Sequence, residues 1–537
     1  MMKGIPVLVV AALAVTPAVA QEVHEHGDRG NLGTVNFANS CSAAVQPAFA
    51  HGMALLHSFE FGPAIDTFAD VAKRDPSCGI ARWGTGVAQW GNPFSIAIKP
   101  PAQMQSGRAT LERGAAAGAK TVRERDYIAA AAALYDRFET VAQAARMRAY
   151  RDAMEQLSAK YRDDTEAATF YALSLAAAAD PADKSYADLL KAGGILEALW
   201  QSQPDHPGLP HYIIHSYDVP ALAPRAVQAA RRYATIAPAA PHALHMPSHT
   251  FTRLGYWQDS IDTNILSAAA ARKAGAVYEE LHATDYQVYA YLQSGQDASA
   301  RRLVEALPAL QARASTGGAV GAAPPTAGAY ALAAIPARYA LERGDWAGAA
   351  RLETRPSRVA YADAITSFAR ALGAARLRDA ATARAAIGEL DAAVDRLVQE
   401  KETYWAEQVT IQKLGASAWL ALAEDRAAAA LAAMREAADR EDKTEKSAVT
   451  PGPLAPAREL LAEMLLELKQ PKAALVEFQK TMAKEPNRFR AAAGASTAAG
   501  QAGDGAAARK YARQLVSICT RADTPGRPEL QAARAVK

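Results

Sequence analysis

Two short stretches hold most of the residues in this chain that could do chemistry. LPHYIIHSYD (209–218) carries His211 and His215; PHALHMPSHTFTRLGYW (241–257) carries His242, His245 and His249. Residues four apart on a helix face the same way, so His211 and His215 match a pair that holds a metal ion through neutral imidazole nitrogens. Pro210 suits a first helical turn, and Asp218 is placed either to orient a ligand or to cap the next segment. The competing reading is two polar residues on a partly buried helix face, each bonded to a carbonyl. The glutamate of the zinc-protease HExxH pattern is missing. In the second stretch, Pro247 disfavours helix at Met246. A helix is therefore expected to begin near Pro247, with His242 and His245 in the lead-in loop and His249 in the first turn. Met246 is either a soft sulfur ligand, which would favour copper, or part of the core. The five imidazoles form a candidate ligand pool for zinc, iron or copper.

The wider histidine distribution points the same way. All eleven histidines lie at or before His282, and the last 255 residues have none. His57 (in GMALLHSFEF) and His282, Asp285 and Tyr286 (in LHATDYQVYAYLQ) are expected to line the same groove, with packing as the simpler reading for each alone. RERDYIAA (123–130) reads as ion pairing at a helix start. GxGxxG after a strand, a phosphate-binding loop, GxSxG and CxxC are all missing, so nucleotide-binding, α/β-hydrolase and thioredoxin-like readings have no support.

The elements that must position these residues repeat. Gly52, Leu55, Ala64, Phe68 and Pro76 have the same spacing as Ala462, Leu465, Ala474, Phe478 and Pro486. That spacing is the tetratricopeptide pattern of about 34 residues, in which small residues let paired helices approach, an aromatic fills the interface and a proline stops the second helix. Helix–turn–helix junctions recur at RLGYWQDSI, YLQSGQDASA, LERGDWAGAA, LALAEDRAAA and AAGQAGDGAA, and β-branched alternation is almost absent. The expected fold is an all-α, tetratricopeptide-like solenoid of helical hairpins in two lobes. The N-terminal His-rich lobe spans 38–311, a Gly/Ala/Pro-rich loop 312–328, the C-terminal lobe 329–520 and a tail 521–537. NPFSIAIKPPAQMQSG (92–107) and KTEKSAVTPGPLAPA (443–457) read as further connections.

Residues 1–20 read as an export signal: Lys3, the apolar run VLVVAALAV and the small-residue site AVA. Residues 21–37 read as a flexible start. No other run reaches the length of a membrane span, so no span is expected in the mature protein. The location expected is the periplasm. Charge is nearly balanced at +3 and scattered, which argues against a nucleic-acid partner. An oxidising compartment permits a disulfide, and Cys41 and Cys78 stand 37 residues apart just before successive repeats. They are either bridged or two buried thiols.

The blocks 51–93, 123–130, 209–257 and 449–495 together resemble a family of exported bacterial tetratricopeptide-repeat proteins, largely uncharacterised. The resemblance covers most of the mature chain. It implies the solenoid and export, and makes 209–257 part of the family pattern, but implies no activity. Two functions follow from these readings. One is a periplasmic solenoid binding a peptide, protein or small ligand in a His-lined groove of the N-terminal lobe. The other is a metal-dependent hydrolase or oxidase with the histidine cluster built into that groove, and Asp218 or Asp285 as its base.

Overall fold

The computed structural model describes Met1 and residues 31–318, 321–354 and 357–536. The leader and most of the 21–37 segment, with His24 and His26, lie outside the described residues. Residues 31–537 form one compact unit. Its described residues build 26 α-helices and three short 3-10 turns, with no strand among them.

The repeat spacing has a steric cause. Phe68 is fully buried. A Cβ added at Gly52 would come within 2.9 Å of its ring, and one at Gly84 within 2.7 Å. The aromatic thus fills the space left by two glycines, one on its partner helix and one on the next. Phe478 repeats the arrangement against Gly494, where a Cβ would fall 2.2 Å from the ring. Packed this way, successive hairpins stack into a tetratricopeptide-like α-solenoid. Its two main cores mark the two lobes, one gathered from residues between Leu32 and Ala322, the other from residues between Tyr330 and Tyr511.

Several connections carry more structure than their composition predicts. Leu32, Val35 and Phe37 are buried in the first core. The helix Asp297–Ser315 runs into the 312–328 stretch, and the next begins at Pro325. The segment 521–536 ends in a helix, Pro528–Ala535, that buries Leu530. Cys41 and Cys78 form a disulfide with Cα atoms 4.8 Å apart.

Nine helices carry or support the histidines and are numbered here in chain order. They are α1 (Gln46–His57), α2 (Phe61–Arg74), α3 (Thr165–Ala177), α4 (Gly208–Ser216), α5 (Pro241–His245), α6 (Pro247–Leu254), α7 (Trp257–Lys273), α8 (Val277–Gln293) and α9 (Pro325–Glu342). His242 and His245 lie on a helix, α5, not in a loop. Met246 takes helical angles (φ −53°, ψ −36°) despite preceding Pro247, so α5 runs into α6 with only a one-residue break. The steric bias against helix before proline is overridden by burial, because every residue from Pro241 to Arg253 is buried. Met246 is fully buried in the first core.

Candidate metal centre

With α5 and α6 nearly continuous, His242, His245 and His249 fall three and four residues apart, on one helical face. That face meets two others. His211 and His215 come from α4, and His282 comes from α8. The result is two triads: His211, His215 and His242 in one, His245, His249 and His282 in the other. Within each triad, one ligand atom per residue lies within 4.8 Å of the others. All six side chains are between 0% and 7% exposed.

The triads share a plan. Each has an i, i+4 pair, on α4 in the first and across the α5–α6 break in the second, plus one further histidine. The second pair, His245 and His249, lies 34 positions after His211 and His215. Consecutive repeats therefore present the same pair at equivalent places. His282, which the sequence reading set in the ligand groove, belongs with the metal-ligand set.

The hydrogen bonds decide which ring nitrogens are open. His249 Nδ1 lies 2.9 Å from Asp218 Oδ2, an acceptor, so Nδ1 carries the proton. His245 Nδ1 lies 2.7 Å from Asn264 Oδ1 on α7. The amide is fixed in that sense because its Nδ2 donates to the Ser260 carbonyl at 2.7 Å. Both Nε2 atoms are therefore bare, yet they face each other at 3.1 Å. Two lone pairs at that distance repel unless a cation lies between them. Nitrogens bound about 2.0–2.1 Å from one tetrahedral ion stand roughly 3.3 Å apart, close to this spacing. In the first triad, His211 Nδ1 donates to the His57 carbonyl at 2.6 Å, leaving its Nε2 open 3.2 Å from His242 Nε2. His215 Nε2, His242 Nδ1 and His282 Nδ1 are buried without partners. His242 Nδ1 is 3.9 Å from Glu279 Oε2, beyond hydrogen-bond reach.

Burial also sets the charge state. It holds His211, His215 and His245 well below the usual imidazole range. It brings His249 down to about 4, against the pull of Asp218, and His282 down to about 3. Neutral imidazole is the form that binds a metal. Burial would raise the Asp218 carboxyl, but Lys446 and Arg253 overcome this and hold it well below its ordinary value. Arg253 donates to Oδ1 at 2.8 Å and Lys446 to Oδ2 at 3.0 Å. Asp218 thus stays an acceptor that orients His249.

Two other groups have ligand-like spacing but no open atoms. In one, His57, Glu166 (α3) and His206 lie within 4.8 Å. Glu166 takes His57 Nε2 at 2.9 Å on one oxygen and His206 Nε2 at 2.8 Å on the other. His57 Nδ1 meets the Tyr212 hydroxyl at 3.0 Å, and His206 Nδ1 accepts from the Gly208 amide at 3.1 Å. Every donor is in use, so this is a closed network. His57 does not line the groove; its carbonyl orients His211. In the other group, Cys41 and Cys78 are bonded and Asp75 accepts from Ser42 and Ser77.

The remaining predicted residues frame the centre. Asp285 is ion-paired with Arg338 of α9 at 2.9 Å. The Tyr286 ring lies 4.7 Å from that of His245, and its hydroxyl donates to the Thr450 carbonyl at 3.1 Å. A chamber of about 50 Å³ touches both triads, through His215 and His242 of one and His249 and His282 of the other. It holds on the order of three or four waters. Phe94 stacks on His215 at 4.0 Å, and a Tyr361–Trp405 stack forms another part of the wall. A second cavity, of about 60 Å³, lies beside Glu441, Lys484 and Glu485 and touches none of the histidines. Lys446 and Asn264 carry no chemical signal in the sequence. They matter only because the fold brings them to Asp218 and His245.

No family model and no curated protein matches the chain. Solved structures align along most of it at low identity. The Cut9–Hcn1 hetero-tetramer of the APC/C has 11% identity over 91% of this chain and 90% of its own, with a TM-score of 0.36. The human IFIT1 dimer with m7Gppp-AAAA has 10% identity over 82% and 90%, with a TM-score of 0.37. Yeast Tom70 has 10% identity over 92% and 95%, with a TM-score of 0.28.

Proposed function

We propose that this protein is a metal-dependent enzyme whose ions are held by the two histidine triads. The carrying observation is the pair of bare nitrogens, His245 Nε2 and His249 Nε2, 3.1 Å apart with both Nδ1 protons committed elsewhere. Three protein ligands with a chamber alongside is the pattern of a catalytic site, since structural zinc sites close all four positions. Zinc, iron and copper all suit imidazole. A bound ion would supply Lewis acidity or redox chemistry; the chain's own residues orient the ligands through Asp218, Asn264 and the His57 carbonyl, and keep bulk water out. The chamber favours a small molecule over a peptide as the bound partner. It therefore narrows the groove-binding reading without conflicting with it. Export to the periplasm, within the exported tetratricopeptide-repeat family, belongs to this proposal. The leader reading and the Cys41–Cys78 bridge support it.

Elemental analysis of the purified full-length protein after exposure to each metal tests the reading. Two equivalents are expected in the native chain, one in His211→Ala or in His245→Ala, and none in the double variant. Circular dichroism reports whether each variant is folded. Native protein that takes up no metal under any supply overturns the proposal.

A further inference from the structure

The two triads are close enough to act on one ligand. Across the boundary between them, the rings of His215 and His249 are 5.9 Å apart, and those of His242 and His245 6.1 Å. Rings this close would let ions held by the two triads act on one ligand, as in two-metal sites. The chamber touches both triads, so one small molecule there reaches both.

The ligand charge is unusual for a two-metal site. All six ligands are imidazoles, which bind a metal ion in the neutral form. Two nearby carboxylates are already engaged: Asp218 by Arg253 and Lys446, Asp285 by Arg338. Glu279 Oε2 is buried without a hydrogen-bond partner, 3.9 Å from His242 Nδ1, and brings one carboxylate to the edge of the first triad. Two divalent ions would bring four positive charges into a buried site bordered by that one unpartnered carboxylate oxygen. Two monovalent ions bring half that, at lower desolvation cost. Among the metals that imidazole suits, copper has an accessible monovalent state.

The same charge logic selects the co-substrate. If two Cu(I) ions each give one electron to dioxygen, the product is two Cu(II) ions and one peroxide. The O–O bond order falls from two to one, and no proton is needed. The site carries two net positive charges before and after, so oxidation adds no uncompensated charge to the buried centre. Dioxygen also fits a chamber of about 50 Å³. Resting on the metal reading above, we infer that the two triads form one dinuclear copper centre that binds dioxygen between the ions as peroxide.

The test uses full-length protein loaded without oxygen with two equivalents of Cu(I), then exposed to dioxygen. Expected are uptake of one dioxygen per two coppers, an intense near-ultraviolet charge-transfer band, and no electron paramagnetic resonance signal from the Cu(II) formed, because the two spins couple. His282→Ala should hold one copper and lack the band, and when loaded directly with Cu(II) it should show an ordinary, uncoupled signal. The native protein is decisive even where that variant misfolds. Two bound coppers that give two full, independent Cu(II) signals and no band overturn the coupled centre and leave the metal reading standing. Uptake of zinc or iron but not copper does the same. Absence of any bound metal overturns both.

Discussion

At the residue scale, the centre depends on where protons sit. A histidine ligates only through a nitrogen that has given up its proton, and the partner on the other nitrogen decides which one that is. Asn264 makes that choice for His245, and Asp218 makes it for His249. Asn264→Leu keeps the volume and removes the acceptor. It should weaken metal at the second triad about 10–100-fold, the usual cost of losing such a partner. The first triad should be unaffected. Chelator competition on the native and variant proteins measures both sites, and unchanged affinity at the second would show that Asn264 does not orient His245. The His57–Glu166–His206 group marks the limit of judging by residue type. It has ligand chemistry and ligand spacing, but its hydrogen bonds use every donor.

At the element scale, the repeat period makes the site. Placing an i, i+4 histidine pair at the same position in two consecutive repeats puts two such pairs side by side. The short α5 helix then adds His242 to the first, and α8 adds His282 to the second. The HYIIH pair was legible in the sequence. Its equivalent at His245 and His249 was hidden by the expectation that Pro247 would break the helix. A different junction carries a pH dependence. Glu441 ends the helix Ala427–Glu441 and accepts from the Ala457 amide at 2.8 Å, where the next helix starts. Burial raises its carboxyl to about 7. In the folded chain it stays protonated up to that pH, whereas unfolded it ionises from about 4.3 upward. Its stabilising contribution is therefore fully present below that value and lost as pH rises through 7. Glu441→Gln, which cannot ionise, should gain on the native protein between pH 5 and pH 8, by on the order of 3 kcal/mol. Denaturant midpoints at the two pH values measure this, and an equal difference at both would remove Glu441 as the cause.

At the scale of the whole molecule, the C-terminal lobe completes a site whose ligands all come from the N-terminal one. The 443–457 connection reads as a linker, yet Lys446 reaches Asp218 and the Thr450 carbonyl holds Tyr286. Arg338 ties this segment to α8. It pairs with Asp285 and donates to Thr450 Oγ1 at 2.7 Å and to the Gly452 carbonyl at 2.9 Å. Arg338 and Asp285 are both fully buried. Removing the cation alone strands a buried carboxylate, so Arg338→Ala should cost about 3–5 kcal/mol. Asp285→Asn/Arg338→Met should recover much of that loss, because the uncompensated charge is gone. Equilibrium unfolding of the single and double variants makes the comparison; a single variant within about 1 kcal/mol of native would mean that the pair does not hold the lobes' contact.

The sequence by itself determined the solenoid, because close helix packing demands a small residue opposite each aromatic, and that demand leaves a periodic trace. It also marked the histidine-rich blocks, because residue type is local information. Only the tertiary structure decided that six histidines form two triads, that His57 stands behind the site instead of in it, and that Lys446 and Asn264 belong to it. Ligand geometry and proton placement depend on atoms brought together from far apart in the chain. His242 and His211 are 31 residues apart, and Lys446 and Asp218 are 228 apart. No spacing rule carries that information; it arises when repeats stack and one lobe closes on the other.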